Sequence, residues 1–126
     1  MSLGLNQDLN ASDLLAGVGR TTSQNSADQV NSSFRGVKVW VNTTTIGTGS
    51  ITVTIQGKDP GSGVYTTLLA SAAIVTNTTG VYTVYPGLPA TANVSANDIL
   101  PRQWRIAVVA NNANPANYTI GASLIV

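Results

Sequence analysis

The sequence contains no cysteine and no histidine. The first absence excludes disulfides, thiolate metal sites and cysteine nucleophiles. The second removes the commonest general base and the commonest metal ligand. Glutamate is missing as well, so all five acidic residues are aspartates. Charged residues make up 9 % of the chain, against about 25 % in a typical soluble domain. The formal net charge is +1, which gives no electrostatic grip on nucleic acid or on an anionic membrane. No apolar run reaches the roughly 18 residues of a membrane helix. The opening residues Met1-Ser2-Leu3-Gly4-Leu5-Asn6-Gln7-Asp8 lack a basic head and a long apolar core, so they do not read as a secretory signal. Neither a nucleic-acid partner nor a membrane is expected.

What is present is threonine, serine and asparagine beside valine and isoleucine. Thr, Val and Ile favour strands; Asn and Gly favour turns. The chain is 43 % hydrophobic and almost neutral, the opposite of the signature of disorder. Its 126 residues suffice for one domain with a core and fall short of two.

Two regions differ in pattern. Residues 1–22 show no β-alternation and are read as an N-terminal arm. Leu5 and Leu9 share a helical face, with Leu14 and Leu15 one to two turns on. That spacing allows a short helix, marginal on its own. Gly17, Gly19, Thr21 and Thr22 read as a flexible joint. From Ser23 to Val126 the period is two, and this is the domain proper. Val37, Val39 and Val41 alternate with Lys38, Trp40 and Asn42; Ile51, Val53 and Ile55 alternate with Thr52, Thr54 and Gln56. Asp59-Pro60-Gly61-Ser62-Gly63 is a turn by its chemistry. Val64 to Val75 reads as an apolar strand broken near Ala70. Residues 86–101 form the longest irregular stretch, because Pro86 and Pro89 cannot continue a central strand. Arg102 to Ala110 and Tyr118 to Val126 resume the alternation. The expected fold is all-β: a single antiparallel β-sandwich, jelly-roll or Ig-like, of about seven to eight strands.

The reactive inventory argues against an enzyme. Without histidine a serine triad has no base. Lys38 and Lys58 lie in strand or turn contexts with no nucleophile elbow around them. Asp59 and Asp98 flank turns, where aspartate ordinarily caps backbone. The five aspartates show no calcium-loop spacing, and the Gly-Val-Gly and Gly-Thr-Gly pieces do not meet a phosphate-loop pattern. No catalytic residue, cofactor or metal is expected. Six Asn-x-Ser/Thr sequons occur, as chance provides in so Asn- and Thr-rich a chain. Trp40, Trp104 and the four tyrosines suggest a sugar-stacking platform, although Trp104 shares the parity of Ile106 and Val108 and so points to the core.

The charge map is uneven. No charged residue occurs between Pro60 and Asn97, nor after Arg105. Such surfaces pack against protein neighbours without burying charge. Arg102 stands at the start of its strand after Pro101 and Arg105 has outward parity, and two readings stand: either arginine pairs with Asp98 and pins the 86–101 loop, or Arg105 contacts an acidic patch on a partner.

Several stretches resemble a family of small tailed-bacteriophage virion proteins. They are Ser26-Ala27-Asp28-Gln29-Val30-Asn31, Phe34-Arg35-Gly36-Val37, Thr54-Ile55-Gln56-Gly57-Lys58-Asp59-Pro60, Val84-Tyr85-Pro86-Gly87-Leu88, Leu100-Pro101-Arg102-Gln103-Trp104-Arg105 and Gly121-Ala122-Ser123-Leu124-Ile125. The resemblance covers about residues 14–126. It implies a decoration or cement protein on the outside of the capsid, made in the bacterial host cytoplasm. The implied partners are the major capsid protein and neighbouring copies of this chain, as dimers or trimers. Leu3, Leu5, Leu9, Leu14 and Leu15, which have no place in the period-two core, are candidate contacts to capsid or neighbour, together with Arg105. The rival reading is a receptor- or carbohydrate-binding module of a tail or fibre.

Overall fold

The computed structural model describes residues 10–126, with side chains described from Leu14 onward. Its elements are β1 (Asn10–Arg20), β2 (Gln24–Asn25), β3 (Gln29–Val30), β4 (Gly36–Thr45), β5 (Ile51–Lys58), β6 (Tyr65–Ala70), β7 (Thr79–Val84), β8 (Ser95–Ala96), β9 (Gln103–Ala110) and β10 (Ala116–Ile125). Two sheets pack face to face as a β-sandwich. Sheet I runs β1-β10-β4-β7-β8, and sheet II runs β2-β9-β5-β6 with β3 also on β9. All pairings are antiparallel except β7 with β8. The ten described strands exceed the seven to eight expected because β2, β3 and β8 have two residues each, too few to show a period. An immunoglobulin sandwich keeps its last strand in the same sheet as the strand before it. Here β10 crosses from β9 to the opposite sheet.

The parities of β4 hold: Val37, Val39 and Val41 are fully buried, while Lys38, Trp40 and Asn42 are exposed. Ile55, Ile106 and Val108 meet them from sheet II, and Trp104 and Tyr118 fill the core beside them. Each such side chain contributes about 1.5–3 kcal/mol by leaving water. Two buried serines carry the ladders across breaks. Ser26, between β2 and β3, accepts the amide of Ile106 on Oγ (2.9 Å) and donates its own amide to the Ile106 carbonyl (2.8 Å). Ser71 ends β6 in the same way on Val53, at 3.0 and 2.8 Å. That is why the apolar strand breaks after Ala70.

The helix allowed for the leading residues is not what residues 10–20 form. They make β1, the edge strand beside β10. Gly17 belongs to this strand, opposite Tyr118, and a Cβ there would come within 2.7 Å of the Tyr118 ring. Gly19 has a positive φ of 62° at a register shift, and its amide donates to Asn117 Oδ1 at 2.5 Å. The two glycines therefore fit a bulged strand rather than a loose joint.

Candidate interaction faces

On the outer face of sheet II, the register sets Gln56 beside Arg105 and Lys58 beside Tyr65. Arg105 is half-buried. Its Nε donates to Gln56 Oε1 at 2.8 Å, and its guanidinium lies over the Tyr65 ring, 3.5 Å from the centroid. The Tyr65 hydroxyl donates to Asp28 Oδ1 (2.5 Å), and Lys58 Nζ donates to Asp28 Oδ2 (2.9 Å). These donors, Tyr65 first and then Lys58, hold the Asp28 carboxyl below its usual range, and Asp28 in turn raises Lys58. The Arg105–Asp98 pair is not formed: Asp98 accepts the Ile99 amide instead (2.8 Å), and the ion pair among the described residues is Lys58–Asp28.

The outer face of sheet I has another character. Trp40 stands at its middle, 38 % exposed. Its cross-strand neighbours are Gly121 on β10 and Val81 on β7. The flanking rows are Thr119–Asn42–Thr79 and Ser123–Lys38–Thr83. Lys38 Nζ lies 5.5 Å from the centre of the indole. The platform of several aromatics does not assemble. Trp104 and Tyr118 are core, Tyr65 is covered by Arg105, and Tyr85 donates to the Val126 carbonyl (2.9 Å).

A third surface is formed by the uncharged stretch. Residues 60–97 supply β6, the edge of sheet II, and β7 and β8, the edge of sheet I. These edges touch across one flank of the sandwich. An open groove of about 410 Å³ lies there, walled by Thr67–Ala70 on one side and by Ala90–Asn93 and Ser95–Asp98 on the other. Val64, Val75 and Val94 are exposed in the same uncharged stretch. The order of strands gathers this run of neutral sequence on one flank, with Asp98 as the charged residue of the groove wall.

Of the candidate leucines, Leu14 and Leu15 pack, partly buried, against the core. Leu3, Leu5 and Leu9 lie outside the described residues. Sequence reasoning missed Tyr65 and Asp28, because their partners come from register between distant strands. It missed Asn31 because a polar residue in a serine-rich run reads as loop.

Neither a protein-family model nor a curated protein sequence matches the chain. A solved structure does. The fold is that of part of the PBSX exported protein XepA. The two superpose with a TM-score of 0.62 at 16 % identity, over 93 % of this chain. The match spans 37 % of XepA, so this chain corresponds to little more than a third of that protein.

Proposed function

We propose that this protein is a non-enzymatic virion component that binds the outside of an assembled phage capsid and reinforces it, as a decoration or cement protein. The observation that carries the reading is the uncharged flank of β6, β7 and β8, with its groove beside the β6 edge. A partner protein covers the strands of this flank with little charge to desolvate, Asp98 in the groove wall being the exception. The edge of β6 can take a further strand from the shell, whose backbone groups would complete the ladder. The sequence resemblance points to virion proteins, and a fold neighbour that is a phage exported protein agrees in coarse terms.

The reinforcement is mass action. A ligand that binds the finished lattice and not loose subunits stabilises the lattice. Contact with two shell subunits adds avidity, because the second contact is intramolecular. Copies gather at local symmetry axes as dimers or trimers. Arg105, held flat on Tyr65 of β6, presents positive charge on the outer face of sheet II as a second contact.

The test compares virions with and without the protein. Particles lacking it should assemble and then release DNA at a lower temperature. Equal heat resistance removes the cement role. In parallel, Thr67→Asp or Val94→Asp places a charge on the flank at an exposed position. Each should abolish capsid occupancy and leave the melting temperature of the free protein unchanged.

A further inference from the structure

The geometry points to a second binding site, on the outer face of sheet I: we infer that Trp40 and its surrounding hydroxyl and amide side chains bind a neutral saccharide. The two outer faces differ in how closely a cation covers their aromatic residue, 3.5 Å over Tyr65 and 5.5 Å over Trp40. Tyr65 on sheet II is roofed by a guanidinium and tied to a carboxylate. Trp40 on sheet I is exposed at the centre of its face, beside Gly121, which has no side chain to stand against the indole. The face of an indole carries negative partial charge, which suits the weakly positive C–H groups on the flat side of a pyranose ring.

The surroundings select the same chemistry. Asn42, Thr79 and Thr119 stand in the row on one side of Trp40, with Thr83 in the row on the other. Among the described residues, the Thr83 and Thr119 hydroxyls take no protein partner. Each hydroxyl both donates and accepts, as sugar hydroxyls do. The one described charge in these rows is Lys38, whose ammonium stands over the indole, 5.5 Å from the ring centre, and brings three further donors to that side of the ring. Among the described residues, these rows hold no second cation beside Lys38 to make the pair that an anionic ligand needs. The groove that suits an inserted protein segment lies on the other flank. A single stacking residue on an open sheet makes a weak site. Its use in a particle rests on the capsid reading, because many copies on one shell convert weak contacts into avid attachment to a glycan-coated surface.

The two tryptophans make the test direct. Trp104 is 1 % exposed, so a ligand-induced change in emission reports Trp40. The free protein is titrated with chitohexaose, cellohexaose and mannohexaose. At least one should shift and quench the emission to saturation. With that sugar, saturation-transfer NMR should give strong transfer from the wild type and from Val109→Ala on the opposite sheet. Transfer from Trp40→Ala should fall at least tenfold, with its thermal unfolding unchanged. No emission change with any of the three sugars overturns the proposal, as does equal transfer from Trp40→Ala. So does loss of capsid occupancy in Trp40→Ala without sugar binding, which makes Trp40 a protein anchor. Sugar binding by a protein that is absent from capsids would leave this site standing and remove the cement reading alone.

Discussion

Asn31 is 7 % exposed and satisfies three groups at once. Its amide nitrogen donates to the carbonyls of Phe34 (2.7 Å) and Leu100 (3.0 Å), and its oxygen accepts the Phe34 amide (2.9 Å). It fastens the turn before β4 to the end of the 86–101 loop. Asn31→Ala leaves those buried groups unpaired. It should lower unfolding free energy by about 2–4 kcal/mol, measured by denaturant titration. Asp28 works at the surface and through charge. A carboxyl held below its ordinary value stabilises the fold above the unfolded-state pKa, and that contribution disappears as pH falls through the folded-state value. Asp28→Asn should therefore melt at a lower temperature than wild type at pH 7. The gap should close in acid, once the wild-type carboxyl is protonated, and thermal melts across a pH series will show whether it does.

At the scale of elements, the strands with a clean period were legible. The alternation of Val37, Val39 and Val41 with Lys38, Trp40 and Asn42 defines both faces of β4, and the same logic places Trp104 inside. β1 was not legible. Its bulges, at the shifts between Ala11 and Leu15 and between Gly17 and Arg20, break the alternation that identifies a strand. Bulges are also a common protection for an exposed edge. The two-residue strands carry too little sequence to read. Of the candidate faces, the neutral stretch was visible as composition. That it folds into a single flank follows from which strands become edges, and this is tertiary information. Deleting residues 1–9 leaves β1 whole and should keep the melting temperature while weakening capsid occupancy. Deleting residues 1–16 removes most of β1, with the Leu14 and Leu15 packing, and should lower the melting temperature by several degrees, read by calorimetry.

For the whole molecule, one flank poor in charge, one charged face and one tryptophan face divide the surface. Under the proposed capsid role, the protein should occur in purified virions at a stoichiometry fixed by the capsid lattice. Densitometry against the major capsid protein checks this, and a count of a few copies per particle places the chain at a vertex or tail instead. The position of β10 has a consequence for how the molecule is made. The last strand lies between β1 and β4, and Gly19 bonds to Asn117, 98 residues away along the chain. Sheet I cannot close until residues 116–125 have left the ribosome. Until then β1 has no partner and the β4 edge stands open. Topologies so rich in distant pairings fold in roughly milliseconds to seconds, so the sandwich stays incomplete until β10 has found both neighbours. Throughout that interval the neutral strands must avoid one another with little charge repulsion to keep nascent chains apart.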